Sequence, residues 1–314
     1  MKDLDINFPL DKFEKLIIDI GWESLDDWYN FWNHQKSILS IDQYWKNKVN
    51  DDWIWGLALP LLSQAYKIQN NSFDRKIIGI SALPGTGKTT LGKWLEAISL
   101  KLNFKIAVIS IDDFYLPSDE MKFAIKNNPW NVSRGFPGSH SVNLMHEKLL
   151  NWKINGELNV PVFDKSLRNG LGDRSHWRSD NPDLLIIEGW FLGIQPILNE
   201  ANYQYINSEE LSPHEIFYRN KIQKNLETYL EIWSLIDNIW HLKPLRFEYM
   251  NIWKTNQEKE MFLQKGSSLK DKQLSNFLRM LNVSIPHESF DFLNSYALLI
   301  IDQERNLVNA GLNL

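Results

Sequence analysis

The chain has 314 residues, room for one large domain or two small ones, and its 34 Lys plus Arg against 39 Asp plus Glu give a formal charge of −5. That balance excludes a protein that coats nucleic acid by neutralising phosphates, and no apolar run approaches the ~18 residues of a membrane span. Cysteine is absent, which removes disulfides, thiolate nucleophiles, Cys-built zinc sites and iron–sulfur ligation together.

The opening MKDLDINFPLDKFEKL reads as neither a signal nor a transit peptide, so a cytoplasmic chain is expected. Residues 8–71 have helical period and hold six of the 14 Trp: Trp22, Trp28, Trp32, Trp45, Trp53 and Trp55. Ser24 followed by Asp27 forms a capping box, with Leu25, Trp28 and Trp32 on one face. Such a stripe reads as a helical extension, 1–74, packed on a neighbouring domain rather than as a partner platform.

At Lys76 the period changes. KIIGIS (76–81), KIAVISI (105–111) and DLLIIEGW (183–190) are short, nearly continuous apolar runs, and NIWHLK (238–243) and YALLIID (296–302) are weaker versions. Helical text separates most of them. The pattern predicts an α/β domain over 75–314, three-layer α/β/α with a mainly parallel five-stranded sheet.

The chemistry is concentrated where these strands end. ALPGTGKTT (82–90) lies between a strand and a helix, as a phosphate-binding loop must. Pro84, Gly85, Thr86, Gly87, Lys88, Thr89 and Thr90 then hold ATP phosphates, with loop amides and Lys88 on the oxygens and the Thr89 hydroxyl on Mg²⁺. Ala82 replaces the usual first Gly and requires a negative φ.

SIDDFYLP (110–117) delivers Asp112 and Asp113 at a strand's C-terminal end, suited to a general base toward an alcohol, with Asp113 and Tyr115 on the substrate side. Glu188 ends a buried strand as the acidic partner of Thr89 for Mg²⁺. RGFPGSH (134–140) and VPVFDKSLRNGLGDR (160–174) are Gly-rich and basic, and offer Arg134, His140, Lys165, Arg168 and Arg174 for an anionic substrate. The text from about Leu245 is helical and basic; with Lys243, Arg246 and Lys254 it reads as a lid near 245–265.

Taken in order, SALPGTGKTTL, SIDDFYLP, RGFPGSH, FDKS, GDR, IIEGWFLGIQP, LKP, Trp253 to Glu258 (W-K-x-x-Q-E) and DQERN resemble the D-glycerate 3-kinases of plants, cyanobacteria and fungi. These stand within the P-loop kinase group that includes phosphoribulokinase, uridine kinase and pantothenate kinase. The resemblance covers about residues 76–309 and implies ATP and Mg²⁺, D-glycerate as acceptor, Asp112 as the base, and adenine contacts near Arg305 and Asn306. It implies neither a nucleic-acid nor a membrane partner; the oligomeric state stays open between monomer and weak dimer.

Three positions depart from the family: Ser141 where Asp is usual, Phe163 where Tyr is usual, and Lys254 where Arg is usual. They keep alternatives open: a uridine, pantothenate or sugar-phosphate acceptor, or a non-catalytic ATP-gated interaction protein.

Overall fold

The computed structural model describes residues 6–45, 49–71, 74–197, 211–266 and 268–313, so the acidic N-terminal reading falls partly outside the described residues. β1 (Ile77–Ala82), β2 (Ile106–Ser110), β5 (Leu184–Gly189), β6 (Asn238–Pro244) and β7 (Ala297–Ile301) are the five expected strands, and each pairs in parallel with its neighbours. The sheet has a sixth member. β8 (Leu307–Leu312) runs antiparallel to β7 and completes the order β2-β5-β1-β6-β7-β8. Its sequence, LVNAGL, has Asn and Gly where an apolar run would continue, so it carries no buried-strand signature.

Alternation across the pleat builds two cores. Ile78 and Ile80 of β1 and Leu184 and Ile186 of β5 face one cluster, while Ile77, Leu185 and Ile187 face the other. The first cluster also takes in the N-terminal helices Leu10–Asp19 and Leu25–His34 and the helix Lys88–Lys101. Trp28 and Trp32 both donate an indole N–H to Ser63 Oγ at 2.7 Å, and Ser63 donates onward to Leu59 O, so a buried hydroxyl is fully satisfied between two indoles. Trp94 Nε1 donates to Leu39 O, and Trp240 Nε1 to Gln64 Oε1, tying the same segment to the helix after β1 and to β6.

Register brings the chemistry together. Glu188 lies opposite both Ile80 of β1 and Ser110 of β2, so the loops after β1, β2 and β5 leave one sheet end side by side. The free side of β2 is occupied by side chains: Ser99 Oγ accepts from Ile106 N, Glu96 Oε1 from Val108 N and Asp113 Oδ2 from Ser110 N, while Arg178 donates to Val108 O.

The basic, Gly-rich stretch 160–174 is not an irregular loop. It belongs to an antiparallel hairpin, β3 (Leu158–Asp164) and β4 (Asp173–Asp180), standing outside the main sheet. β4 reads DRSHWRSD and buries few side chains, so it lacks the apolar period that would have marked a strand.

Candidate active site

The loop after β1 passes through Gly85 (φ +82°) and Gly87 (φ +103°), conformations open to Gly at little cost, and Gly87 is the N-cap of the Lys88–Lys101 helix. Ala82 is outside the positive-φ set, as its side chain demands. A Cβ at Gly85 would lie 2.7 Å from the backbone carbon of Trp253, so the helix Tyr249–Lys265 begins hard against the loop. Lys88 Nζ donates to Ala82 O (2.7 Å) and Leu83 O (3.1 Å) and lies 3.8 Å from Glu188 Oε2. Burial lowers the Lys88 pKa, with Glu188 and Asp112 opposing. Pro84, Thr86, Thr89 and Thr90 share this wall. Helix-start amides, a lysine, a Thr hydroxyl and a carboxylate are a donor set that fits a triphosphate with a hard divalent cation.

β2 ends in a tight turn, Ile111–Phe114, capped by Ser110, and this turn separates the two aspartates. Asp112 faces the cleft. Its Oδ2 accepts from Lys165 Nζ at 2.7 Å, and its Oδ1 lies 3.9 Å from His140 Nε2. Burial alone would raise this carboxyl, but the Lys165 ammonium and His140 outweigh it and hold it well below the usual carboxylate range. Lys165 is correspondingly raised by Asp112.

Asp113, expected on the substrate side, turns back into the fold: its oxygens accept from Ser110 N and from Phe163 N of β3, and it is not among the cleft residues. Burial raises its pKa. Glu188 lines the cleft, its carboxyl raised by burial against the pull of Lys88.

His140 has a partner that the sequence did not announce. The buried Tyr229 hydroxyl accepts from Gly138 N (3.0 Å) and is hydrogen-bonded to His140 Nδ1, 2.8 Å away. Burial lowers the pKa of the imidazole and favours its neutral form. Nε2 has no hydrogen-bond partner among the described residues and sits toward Asp112. Tyr115 stacks on the ring at 4.5 Å between centroids and lines the cleft, its hydroxyl pushed well up by burial. No motif marks Tyr229; its signal is a polar-tipped aromatic on the apolar face of a helical stretch.

The hairpin closes the acceptor side. Arg134 Nη1 donates to Gly170 O and Leu171 O, pinning the hairpin tip while lining the cleft. Arg174, expected to grip an anionic substrate, is not among the cleft residues: its Nε donates to Tyr115 O and its Nη2 to Ser141 Oγ (2.6 Å), fastening the hairpin to the turn below. Arg168 is exposed at the hairpin loop and also outside the cleft.

Of the three basic residues expected in a lid, only Lys254 lines the cleft, bonded to Gln257 and Glu258 one turn on, and burial lowers its pKa. Lys243 and Arg246 do not. Lys243 sits on β6 and pairs with Asp291 at 2.6 Å, and Arg246 is exposed in the turn before the helix, because the chain is still leaving the sheet there.

The cleft has a volume of about 1810 Å³, above the usual 300–1,000 Å³ of a single-ligand pocket and enough for a nucleotide beside a small acceptor. Its far wall, beyond the phosphate loop, includes Tyr44, Trp45 and Trp53 with Arg305 and Asn306. From sequence, Trp45 and Trp53 read as packing residues, since nothing in their spacing distinguishes them from the other tryptophans, and nothing marks Tyr44.

No family model matches the chain. The chloroplastic D-glycerate 3-kinase of Arabidopsis thaliana is 31% identical over 215 residues, 64% of this chain and 45% of that protein. The probable ATP-dependent kinase TDA10 of Saccharomyces cerevisiae is 32% identical over 225 residues, 64% of this chain and 75% of that one. A solved D-glycerate 3-kinase from Cryptococcus neoformans superposes with a TM-score of 0.68 at 24% identity, over 82% of this chain and 97% of that chain, a likeness of fold. With the phosphate loop and the strand-end carboxylates in place, the chain belongs to the ATP-dependent P-loop kinase group that contains D-glycerate 3-kinase and TDA10.

Proposed function

We propose that the protein transfers the γ-phosphate of ATP to a hydroxyl of a small hydroxy acid, D-glycerate, giving 3-phospho-D-glycerate. The observation that carries the reading is Asp112, a carboxylate kept ionised by Lys165 in the cleft that also holds the phosphate loop. The 3-hydroxyl donates its hydrogen bond to Asp112. As the new O–P bond forms in line, the β–γ bridging O–P bond breaks, ADP leaves with that electron pair, and the hydroxyl proton passes to Asp112. A carboxyl held this acidic is a weak base, which suits a loose transition state in which the proton leaves late and orientation does most of the work.

Lys165 and Arg134, on the acceptor side of the cleft, suit the acceptor's carboxylate. The neutral His140, held by Tyr229, presents its Nε2 toward Asp112. Lys88 holds the phosphates, and Thr89 and Glu188 would hold Mg²⁺ brought by the nucleotide, which neutralises phosphate charge when bound. The anchoring of Arg174 on Ser141 gives the first family departure a place outside the acceptor pocket.

The test is ADP release in Mg-ATP against D-glycerate, L-glycerate, pantothenate, uridine and ribulose 5-phosphate, with Lys88→Ala as the blank. Turnover with D-glycerate alone is expected. Turnover only with another acceptor would overturn the substrate, and silence with all five would overturn catalysis on small alcohols.

A further inference from the structure

The short helix Asp51–Trp53 runs into a π-helical turn, Ile54–Ala58, before the α-helix Leu59–Asn71. A π-helical turn adds a residue to the helical circuit and re-aims its neighbours, a feature common at functional sites. Here it is locked in place: a Cβ on Gly56 would lie 2.4 Å from Leu307 and 2.7 Å from Phe8, so only Gly allows β8 this close. The same segment is tied to the turn between β7 and β8. Asp52 Oδ2 accepts from Leu307 N at 2.7 Å, Asn50 Nδ2 donates to Asn306 Oδ1, and Arg305 Nε in turn donates to Gly85 O of the phosphate loop.

Trp53 is held against the loop by these ties. It is 4% exposed, lines the cleft, and its Cζ2 lies 3.7 Å from where a Cβ on Gly87 would be. Nε1 is two bonds from Cζ2 on the same edge of the indole. That N–H is buried and has no hydrogen-bond partner among the described residues, a state that Trp22 shares outside the cleft, whereas the indoles of Trp28, Trp32, Trp94 and Trp240 all have one. A buried donor without an acceptor is costly, and Trp53 lines a cleft in which a bound ligand can supply one. Beside it, Trp45 leans on Trp94 at 5.5 Å and, with Tyr44, offers half-exposed aromatic faces to the cleft.

We infer that Tyr44, Trp45 and Trp53 form the nucleoside-binding wall of this kinase: Trp53 donates its indole N–H to the ribose or base of ATP, and Tyr44 and Trp45 cover the apolar faces of the nucleoside. The inference rests on the loop at 82–90 binding the triphosphate.

The experiment is calorimetric titration of the full chain with an unhydrolysable ATP analogue and, separately, with inorganic tripolyphosphate, which lacks a nucleoside. Trp53→Phe keeps a ring but removes the donor, and it is expected to weaken analogue binding about 3- to 10-fold while leaving tripolyphosphate unchanged. Trp45→Ala, at a partly buried position beside Trp94, is expected to weaken the analogue about tenfold with the same selectivity, its fold checked by its thermal transition. Trp177→Phe, on the exposed hairpin, should match the parent protein with both ligands. Parent-like analogue binding by both cleft variants overturns the inference, as does an equal loss of analogue and tripolyphosphate. If the parent chain bound neither ligand, the phosphate loop itself would have been misread, a result distinct from failure of the Trp variants alone. Should Trp53→Phe fail to fold, judged by its thermal transition, Trp45→Ala decides.

Discussion

Replacing Asp112 by Asn removes one proton acceptor and one negative charge and changes the shape of the cleft hardly at all. General-base contributions run from about 10²- to 10⁴-fold, or roughly 2.7 to 5.4 kcal/mol of barrier at 1.36 kcal/mol per tenfold. The low pKa of this carboxyl places the expectation toward the lower part of that range, a fall in kcat of at least about 100-fold. Stability should move much less. Lys165 is 55% exposed, so its pairing with Asp112 is heavily screened and worth about 1 kcal/mol or less, a few degrees in Tm at most. ATP affinity should hold or tighten slightly, because the freed Lys165 ammonium adds positive charge to the cleft that receives the triphosphate. Single-turnover kinetics with D-glycerate, run beside ATP titration, separates these quantities. A kcat within tenfold of the parent enzyme, with ATP binding intact, would refute the assignment of Asp112.

Tyr229→Phe deletes the acceptor of the Gly138 amide and the hydrogen-bond partner of His140, so it should cost about 1–3 kcal/mol of stability and lower kcat about tenfold with little change in ATP affinity; denaturant unfolding and kinetics check both. Gly85→Ala meets a positive φ and a 2.7 Å contact with the Trp253 backbone, and a Tm lower by several degrees with loss of ATP binding is expected in thermal shift with and without nucleotide. Glu215 gives a pH signature. Burial would raise its carboxyl from the ordinary 4.5, but bonds from Arg279, Ser212 and Trp130 carry it down to about 2. A depressed carboxyl stabilises the fold above its unfolded pKa and loses that contribution as pH falls from about 4.5 toward 2, here at most about 3 kcal/mol. Urea unfolding at successive pH values should show that loss in the parent and a flatter profile in Glu215→Gln.

The strands buried on both faces were legible because β1, β2 and β5 carry nearly continuous apolar runs, and the phosphate loop was legible because its residue types follow from backbone geometry alone. β4 and β8 were not, since an exposed hairpin arm and an edge strand need little apolar sequence. At the site, adjacency in sequence misled. Asp112 and Asp113 differ by one residue in a tight turn, and only the turn decides which carboxylate meets the cleft and which returns to cap Ser110. Charge likewise gave composition without direction: Arg174 and Lys243 are basic residues in suggestive places, each claimed by a structural partner, a hydroxyl and a carbonyl for one and Asp291 for the other. Tyr229 and Trp53 act through single polar atoms on bulky rings, a property that no spacing rule distinguishes from ordinary core.

The side chains on the outer border of β2 bear on how copies of this protein meet. A strand at the rim of a sheet normally offers alternate amides and carbonyls to any extended chain that drifts past, and so seeds sheet-to-sheet association. Here Ser99, Glu96, Arg178 and Asp113 already occupy those groups, and three of the four carry ionisable side chains. A second copy could add a strand there only by displacing an ion pair and the hydrogen bonds that these side chains make, so strand-to-strand pairing at this rim is opposed. Asp113, expected from the sequence on the substrate side, thereby fills the last free amide of that rim.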